Sequence, residues 1–316
     1  MMKTLYFPSA TSPYGRYMAT IGMFDGVHRG HQALIEELRN EARRRGLQTM
    51  VVTFAGHPRQ VVQPEWQPRL LTTFEEKAAL LAETGIDVLV VLRFDAAMAS
   101  LSARDFMLHV LKERLHADAL LTGYDNRFGH DRSETFADYQ RYGAQMGIDV
   151  VAGHPAEEGN LRFSSSLIRQ LLDQGDVARA AVCLGRNYRL SGRVVHGRAV
   201  GRTIGFPTAN IVPDDPARIV PQFGVYCVVI HTESGADSYQ SIMNIGTRPT
   251  FHGHEPSLEA HLIGFSGDLY GQTVTAEFIA RLRSERVFNT PDDLAVQLEK
   301  DAAEAQTIFK NHEKSN

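Results

Sequence analysis

Two histidines three residues apart stand at the end of the segment Gly22–His31, whose sequence is Gly-Met-Phe-Asp-Gly-Val-His-Arg-Gly-His. The mostly apolar residues Tyr17–Ile21 precede this segment, and apolar residues at helical spacing follow it. The pattern predicts a strand, a tight glycine-rich turn, and a helix with His28 and His31 in its first turn. At a helix start, free N–H groups and the positive end of the helix dipole attract anions, and glycines let a phosphate approach the backbone. The segment therefore predicts a phosphate-binding site.

Two later segments are candidates to complete this site. Gly123–Gly129, which contains Asp125, follows the strand-like run Ala119–Thr122. Ser164–Arg169 precedes a predicted helix and offers hydroxyls, backbone amides and a guanidinium to a phosphate. Nucleotidyl transfer requires an in-line nucleophile, a positioned α-phosphate, and positive charge near the leaving pyrophosphate. The two histidines and the arginine of the later segment are groups of the kind that this chemistry requires.

Each of these signals also has a structural explanation. Two histidines at this spacing are usually surface or structural residues, and they could also be half of a zinc site. No acidic or cysteine partner stands at ligand spacing, which argues against zinc. A run of three serines is more often a helix cap than a binding loop. The predicted position of all three segments at strand ends of one sheet favours the phosphate site.

The second half contains the segment Gly201–Asn210, whose sequence is Gly-Arg-Thr-Ile-Gly-Phe-Pro-Thr-Ala-Asn. No Walker-type Gly-Lys-Ser/Thr occurs in the chain, so a conventional P-loop is excluded. The glycines permit close approach of a phosphate, and Thr208 and Asn210 share a face if the segment is extended. Their hydroxyl and amide oxygens suit Mg²⁺. The alternative is a Gly/Pro turn between two strands.

Glu259 lies in the strand-like run Ser257–Ile263. Period-two alternation places Glu259 and His261 on one face of this strand and apolar residues on the other face. A carboxylate on a strand face is usually just solvated. If it points into a barrel mouth, however, it could accept a proton from an alcohol that attacks a γ-phosphate. Glu259 is therefore the candidate base of a kinase, with a solvated carboxylate as the alternative.

Up to about residue 185, strand-like runs alternate with helical patterns, which predicts a parallel sheet with crossover helices. The predicted strands of this half are Tyr17–Ile21, Thr49–Phe54, Val88–Leu92, Ala119–Thr122 and Asp149–Val151. A capping box at Thr73 predicts a helix to Thr84, and a cap at Ser102 predicts another that reaches about Leu115. In such sheets the ligand crevice lies at the carboxyl ends of the strands, where Gly22–His31 would lie.

After Tyr188, short strands follow one another with turn residues between them, which predicts an antiparallel barrel or sandwich. The predicted strands of this half are Gly192–His196, Gly224–His231, Ser241–Ile245, Leu258–Phe265 and Thr273–Ile279. A closing helix is predicted from Pro291 to about Lys310, with Thr290 as its cap. A single helical stretch over 165–184 joins the two halves.

The chain of 316 residues is long enough for two domains, which we place at residues 1–184 and 185–316. It is 43% apolar and 22% charged, with a mean hydropathy of −0.23, which is typical of a soluble globular protein. Its net charge of −4 gives no general attraction for nucleic acid or an anionic membrane. No apolar run approaches the roughly 20 residues of a membrane span. The N terminus lacks a signal peptide's apolar core, and Cys183 and Cys227 fit a reducing compartment, so we expect a cytoplasmic protein.

The first half resembles the adenylyltransferase module of bacterial bifunctional riboflavin kinase/FAD synthetases. Gly22–His31 matches the His-x-Gly-His signature of the nucleotidyltransferase superfamily, and the two later segments match that module in order and spacing. The resemblance implies that His28, His31 and Arg169 are catalytic contacts to the ATP phosphates. It implies further ATP or phosphate contacts at Gly22, Phe24, Asp25, Gly26, Gly30, Asp125, Ser165 and Ser166.

The second half resembles the riboflavin kinase module along nearly its whole length. The Pro-Thr-Ala-Asn core at Pro207–Asn210 is specific to this family, and Gly192–Gly197 and Asn244–Gly246 match it as well. The residues that the resemblance implicates are Thr208 and Asn210 for Mg²⁺ and ATP, Gly201 and Gly205 for the nucleotide, Glu259 as the base for the ribityl 5′-hydroxyl, and Arg283 as a candidate flavin contact.

Together the resemblances imply an α/β Rossmann-like nucleotidyltransferase domain with a parallel sheet, followed by an antiparallel β-barrel kinase domain with a C-terminal helix. The expected protein is a Mg²⁺-dependent enzyme that phosphorylates riboflavin to FMN and adenylylates FMN to FAD with release of pyrophosphate. Its expected partners are riboflavin, FMN and ATP, without nucleic acid or membrane, and its expected state is a monomer or weak oligomer. Two alternatives stay open: one of the two activities alone is retained, or the chain is a flavin-binding regulatory protein.

Overall fold

The computed structural model describes residues 2–8, 15–123, 127–130, 133–155, 157–158, 161–197, 206–233, 237–250, 253–288 and 290–315. The chain divides into two compact units, residues 1–165 and 166–316. The first unit contains a parallel α/β sheet and the second contains an antiparallel barrel, so the predicted fold class is confirmed. Among the described residues, no helix has the length and apolar composition that crossing a membrane requires.

The first unit is built on a six-stranded parallel sheet with helices between its strands. The strands are β1 (Lys3–Phe7), β2 (Tyr17–Ile21), β3 (Gln48–Phe54), β4 (Val88–Leu92), β5 (Ala117–Thr122) and β6 (Asp149–Ala152). The helices are α1 (Arg29–Arg45), α2 (Pro58–Val62), α3 (Phe74–Glu83), α4 (Ala96–Ala99), α5 (Ala103–Asp105), which continues as a π-helix over Phe106–Lys112, and α6 (Phe136–Met146). Two short strands, β7 (Glu157–Glu158) and β8 (Leu161–Arg162), pair with each other in a separate sheet.

The order of the strands across the large sheet is β1-β4-β3-β2-β5-β6. From β2 the chain builds one side of the sheet with β3 and β4, and later the other side with β5 and β6. The strand order therefore reverses at β2. In open parallel sheets, ligands bind in the crevice at the carboxyl ends of the strands at such a switch point. The loop that leaves β2 lies there, as the sequence predicts.

Helices cover both faces of this sheet. On one face, Ile35 and Leu38 of α1 and Leu81 of α3 belong to a buried apolar cluster with the strands. On the other face, Phe106 of the π-helix and Tyr139 of α6 belong to a second cluster. Every residue of β2 and β4 is buried, which explains why these strands are continuous apolar runs in the sequence.

Helix starts in this unit follow the predicted capping signals. The N–H of Glu76 donates to the Thr73 hydroxyl at 3.2 Å, and the Glu76 carboxylate accepts from the N–H of Thr73 at 2.9 Å, so the capping box opens α3. The Ser102 hydroxyl caps α5 by accepting from the N–H of Asp105 at 3.1 Å. Beyond Asp105 the helix differs from the prediction, because Phe106–Lys112 is π-helical.

The second unit contains two helices and then the barrel. The helices are α7 (Ser165–Asp173), which begins at the boundary of the units, and α8 (Val177–Leu184). Gly175, with a φ of +74°, separates the two helices where the sequence predicts a single stretch, because this left-handed backbone ends the first helix. The barrel strands are β9 (Tyr188–Val195), β10 (Ala209–Pro213), β11 (Gly224–Thr232), β12 (Ser238–Thr250), β13 (Gly253–Leu262) and β14 (Thr273–Arg283).

The barrel closes in the order β10-β13-β12-β11-β14-β9, and all its pairs are antiparallel. Strand β10 is absent from the strands predicted by the sequence, because the Gly/Pro-rich stretch before it indicates a turn. The closing helix α9 (Pro291–Ser315) begins at its predicted cap, since the Thr290 hydroxyl accepts from the N–H of Asp293 at 3.1 Å.

The two faces of the barrel wall have different surroundings. Tyr226 of β11 and Met243 of β12 face each other on neighbouring strands, and both are completely buried. Their strand neighbours Cys227 and Ile242 lie on the opposite face, in an apolar cluster with residues of α9 that include Phe309. A six-stranded barrel has no room for a helix inside it, so the face that carries Cys227 is the outer face.

An ion pair at the outer face attaches α9 to the barrel. The Arg283 guanidinium at the end of β14 donates to the Asp301 carboxylate of α9 through Nε at 2.9 Å and Nη2 at 2.7 Å. Gln297 donates to the same carboxylate at 2.8 Å, and Asp301 is 1% exposed. The carboxylate is thus fully buried and fully paired.

We expect Asp301→Ala to lower the free energy of unfolding by about 3 kcal/mol, because removing one partner leaves the other charge buried without compensation. Denaturation by urea, followed by circular dichroism, measures this loss. The matched control is Glu299→Ala, which removes an exposed carboxylate from the same helix and should change the free energy by less than about 0.5 kcal/mol. Equal effects of the two substitutions would show that the ion pair does not stabilise the attachment of α9.

Candidate active sites

The loop that leaves β2 contains three residues with positive φ angles. The φ angle is +51° at Phe24, +81° at Gly26 and +38° at Val27. A non-glycine residue in this conformation costs on the order of 1–3 kcal/mol and persists where the surroundings hold it. Phe24 and Val27 are each 1% exposed, so packing holds their side chains. The loop is therefore a strained and tightly packed turn at the carboxyl end of β2.

Asp25 fastens this loop to the residues before α3. Its carboxylate accepts hydrogen bonds from the N–H groups of Leu71 at 3.0 Å and Thr72 at 3.1 Å, and from the Thr72 hydroxyl. The N–H of Gly26 donates to the Thr72 hydroxyl at 3.1 Å, and the hydroxyl of Ser165 donates to the backbone carbonyl of Asp25 at 3.0 Å. The structure thus places Asp25, Gly26 and Ser165 together, with the Asp25 carboxylate engaged inside the protein.

His28 is the N-cap of α1, and His31 lies in the first turn of that helix. The N–H of His31 donates to Nδ1 of His28 at 3.3 Å, so a neutral His28 carries its proton on Nε2. The two rings are stacked with their centroids 3.7 Å apart. The prediction that both histidines lie at a helix start after a strand is confirmed.

Burial keeps His31 neutral. Burial lowers the pKa of His31 well below its usual value of 6.5, and the neighbouring His28 and Lys77 lower the pKa further. Nδ1 of His31 is buried and has no hydrogen-bond partner among the described residues. Orphaned buried N–H groups are rarer than orphaned acceptors, so the proton of His31 is best placed on Nε2. His31 therefore offers a neutral N–H donor rather than a cation.

Glycine spacing lets the histidines lie close to the backbone. A Cβ atom on Gly30 would lie 3.0 Å from Cε1 of His28 and 3.1 Å from the carbonyl oxygen of Phe163. A Cβ atom on Gly22 would lie 3.1 Å from the Phe24 ring. The N–H of Gly30 donates to no other described residue, as expected in the first turn of a helix. Gly22, Phe24 and Gly30 thus line the same loop as the histidines.

Lys77 of α3 is a buried group beside this loop that the sequence analysis missed. It is 5% exposed, and burial lowers its pKa to about 8, although the nearby Asp25 carboxylate opposes this shift. Its ammonium donates to the carbonyl oxygens of Met23 at 3.2 Å and Phe54 at 3.0 Å, and to the Thr53 hydroxyl at 3.3 Å. A lone lysine on an amphipathic helix carries no signal of burial, which is why the sequence could not single it out.

Three predicted residues of this site cannot be placed beside the histidines. Asp125 lies outside the described residues. Ser166 and Arg169 lie in the first turns of α7 and belong to the second unit, where Ser166 is exposed and Arg169 is half-buried. Their part in phosphate binding stays a prediction.

Three polar side chains form a row across neighbouring barrel strands. Asn210 of β10 lies opposite Glu259 of β13, and Glu259 lies opposite Asn244 of β12. The Cβ atoms of opposed residues are about 5 Å apart in such pairs. Ile242 lies on the outer face of the barrel and is opposed to His261, which shares a face of β13 with Glu259. Glu259 and the two asparagines opposed to it therefore also lie on the outer face. We call Asn210, Glu259 and Asn244 the polar row.

The side chains of the polar row are buried or half-buried, but other described residues form no hydrogen bonds with them. Asn210 is 9% exposed, and Glu259 and Asn244 are half-buried. No described residue forms a hydrogen bond with any of the three side chains. None of their polar atoms is both buried and unpaired, so these side chains can be reached from solvent and are available to a ligand. Asn244 is a further candidate that the sequence analysis did not assign, because only the register reveals it.

The backbone before β10 is held against the same face. Nδ1 of His261 lies 2.9 Å from the carbonyl oxygen of Pro207, and the Phe206 ring lies 5.1 Å from the His261 ring. Because a carbonyl only accepts, His261 is the donor. Thr208 follows directly and lines a cavity of about 380 Å³, together with Leu262 and other residues near the end of the barrel. Thr208 precedes Asn210 by two residues, so it lies close to the polar row.

The other predicted residues of the barrel have different outcomes. Arg283 points to Asp301, and its Nη1 donates to the backbone carbonyl of Ser284 at 3.1 Å. The guanidinium is therefore engaged within the protein, and its predicted flavin contact stays a prediction. Gly201 and Gly205 lie outside the described residues.

Comparisons with known proteins agree with both halves. The sequence model of the FAD synthetase family matches residues 12–167, and that of the riboflavin kinase family matches residues 184–309. The bifunctional riboflavin kinase/FMN adenylyltransferase of Escherichia coli (strain K12) is 39% identical over 300 residues, which cover 94% of this chain and 94% of that protein. The protein of the same name from Bacillus subtilis (strain 168) is 37% identical over 298 residues, with 92% of each chain covered.

A solved structure supports the fold over the whole chain. A crystal structure described as that of a macrolide-efflux protein from Streptococcus pneumoniae is 31% identical to this chain, with a TM-score of 0.86. It covers 96% of this chain and 98% of that one. Since the curated relatives exceed 30% identity over nearly their full length, the chain belongs to the family of bifunctional riboflavin kinase/FMN adenylyltransferases.

Proposed function

We propose that residues 185–316 phosphorylate riboflavin with ATP to give FMN, and that residues 1–184 transfer AMP from a second ATP to FMN. The products of the second step are FAD and pyrophosphate. Membership of the family supports both activities. The observation that supports the division between the halves is that each half holds its own set of polar groups suited to phosphate chemistry. These sets are the polar row in the barrel and the stacked histidines at the carboxyl end of β2.

In the kinase step, Glu259 is the proposed general base. Its carboxylate accepts the proton of the ribityl 5′-hydroxyl while that oxygen attacks the γ-phosphorus of ATP, and the bond from the γ-phosphorus to the β,γ-bridging oxygen breaks as ADP leaves. The two asparagines beside Glu259 orient the reacting groups through their amides. The absence of hydrogen bonds to Glu259 from other described residues leaves the carboxylate ready to accept this proton.

The donors near Glu259 fit Mg²⁺. Thr208 and Asn210 supply hydroxyl and amide oxygens, which are hard ligands, and ATP oxygens and water complete such sites in proteins. Among the described residues, no cluster of three histidine, cysteine or acidic side chains competes as a metal site. When bound, Mg²⁺ neutralises the charge that develops on the phosphates during transfer. We propose Thr208 and Asn210 as the residues that hold it.

Gly197 provides a test of Asn210 that leaves the functional groups in place. A Cβ atom on Gly197 would lie 2.1 Å from Nδ2 of Asn210, so Gly197→Ala must displace that side chain. We expect riboflavin phosphorylation to fall about 10- to 100-fold, because displacing a positioning group by about 1 Å costs this much. Adenylylation of supplied FMN by the same protein is the control and should be unchanged. Normal phosphorylation would show that the position of Asn210 does not matter.

In the adenylyl step, the histidines bind and orient the ATP phosphates. An oxygen of the FMN phosphate attacks the α-phosphorus of ATP, and the bond to pyrophosphate breaks in line with this attack. His28 and His31 each direct an Nε2 proton to the phosphates, and the N–H groups at the start of α1 add further donors. Arg169 is proposed to supply positive charge near the leaving pyrophosphate.

One incubation distinguishes the proposed function from its alternatives. The purified chain is mixed with riboflavin, ATP and Mg²⁺, and the flavins are separated over time. FMN that rises first and FAD that follows support both activities. If FMN alone formed, the chain would have kept only the kinase activity. If riboflavin did not react but supplied FMN gave FAD, the chain would have kept only the adenylyltransferase activity. Flavin binding without turnover would indicate a regulatory protein. The cytoplasmic location and the monomeric or weakly oligomeric state stay predictions.

A further inference from the structure

Lys77 has no role in the proposed chemistry, yet its side chain is buried. Lysine is almost never fully buried unless it is paired, and Lys77 is 5% exposed. Its hydrogen-bond acceptors are neutral: two carbonyl oxygens and one hydroxyl. An ammonium has three N–H donors, and these acceptors account for all three. Lys77 therefore has no donor left for a substrate and can act only through the groups that it holds.

The groups that Lys77 holds lie at the ends of two neighbouring strands. Met23 belongs to the strained loop after β2, while Thr53 and Phe54 are the last residues of β3. Thr53 is completely buried, and its hydroxyl donates to the Met23 carbonyl at 3.2 Å while accepting from Lys77. The Met23 carbonyl therefore receives two hydrogen bonds from side chains, and its direction is fixed.

Fixing this carbonyl also fixes the next N–H group. In a planar trans peptide the carbonyl oxygen and the following N–H point in opposite directions. Since the oxygen of Met23 points to Lys77, the N–H of Phe24 points away from Lys77. This N–H donates to no other described residue. The ring of the same Phe24 lies 5.1 Å from the ring of His31, so the free N–H belongs to the loop that carries the histidines.

We propose that Lys77 is a positioning residue for adenylyl transfer, which holds the Met23 carbonyl so that the Phe24 N–H is directed to the phosphates of ATP. This inference rests on the proposed function of the first half. Its second consequence is electrostatic. Because His31 is placed as a neutral donor, the Lys77 ammonium supplies positive charge behind the loop, where phosphate charge collects during the reaction.

The test substitutes Lys77→Met, which keeps the length of the side chain and removes the ammonium. With FMN and ATP supplied, we expect kcat for FAD formation to fall about 100-fold and KM for ATP to change less than about 3-fold, because a misplaced donor acts mainly in the transition state. Riboflavin phosphorylation by the same protein should be unchanged. The matched control is Lys112→Met, whose ammonium bonds to Asp118 and to the carbonyl of Gly147 near the amino ends of β5 and β6.

A second variant covers the case in which Lys77→Met fails to fold. Thr53→Val keeps the shape of a buried side chain and removes the hydroxyl between Lys77 and Met23, and we expect kcat to fall about 10-fold. The single tryptophan, Trp66, lies in the first unit, so its fluorescence reports whether this unit is folded in each variant. If Thr53→Val and any folded Lys77→Met protein keep kcat within about 3-fold of the unsubstituted chain, the proposal is overturned. If the unsubstituted chain makes no FAD from FMN, the proposed function is overturned and this inference with it.

Discussion

Replacing Glu259 with glutamine should stop riboflavin phosphorylation almost completely, with a loss of about 10²- to 10⁴-fold in rate. Glutamine has the size of glutamate and can keep the packing of the polar row, but it cannot accept a proton from an alcohol. In barrier terms, the loss corresponds to about 3–5 kcal/mol. The measurement is the rate of FMN formation from riboflavin and ATP, read by separation of the flavins.

The two-site arrangement gives this experiment an internal control. Adenylylation of supplied FMN by the Glu259→Gln protein should stay close to that of the unsubstituted chain. A second control is Glu299→Gln, which neutralises an exposed carboxylate of α9 and should leave both activities unchanged. If both activities fell together in Glu259→Gln, the division of labour between the halves would be wrong. If phosphorylation fell less than about 10-fold, Glu259 would not be the base.

Local signals predicted the parts of the fold that depend on neighbouring residues in the chain. The capping box at Thr73 and Glu76 depends on side chains three residues apart, and the structure forms it as predicted. The position of the histidines at the start of α1 follows from a strand, a turn and a helix in succession. The spacing of apolar residues in the sequence indicates each of these elements. The alternation along β13 likewise predicted that Glu259 and His261 share a face.

Contacts between distant segments could not be predicted in this way. The ammonium of Lys77 donates to backbone carbonyls that lie 23 and 54 residues away in the sequence. Nothing in the sequence of its own helix indicates these partners. Asn244 becomes a site candidate only when β12 pairs with β13 in the observed register, because a shift of one residue would turn it to the other face. Arg283 shows the opposite outcome. The sequence made it a candidate flavin contact, but in the structure its guanidinium pairs with Asp301 of α9, 18 residues later.

The two units also differ in how their sites are protected from solvent. In the first unit, the loop after β2 is held by buried donors and acceptors on its inner side, and its histidines are stacked on each other. In the barrel, the polar row lies on the outer face, where Asn210 is sheltered by the backbone at Gly197. Substitutions in the first site should therefore act through the shape of a strained loop as well as through the group removed.

His31→Ala should stop FAD formation while FMN accumulates. The substitution removes one N–H donor to the phosphates and the ring on which His28 is stacked, so we expect a loss of about 10²- to 10³-fold in adenylylation. Because burial lowers the pKa of His31 well below 6.5, the group removed is a neutral donor at pH 7. His31→Gln restores a neutral N–H donor and should keep more activity than His31→Ala.

This comparison of alanine with glutamine decides how the histidine acts. If an imidazolium charge were required at this position, glutamine would be as inactive as alanine, and the assignment of His31 as a neutral donor would be wrong. The control is His109→Ala, which removes an exposed histidine of the π-helix that pairs with Glu113 and should leave FAD formation unchanged. Normal FAD output from His31→Ala would remove the histidines from the mechanism, and the phosphates would then have to be held by the loop amides that Lys77 positions.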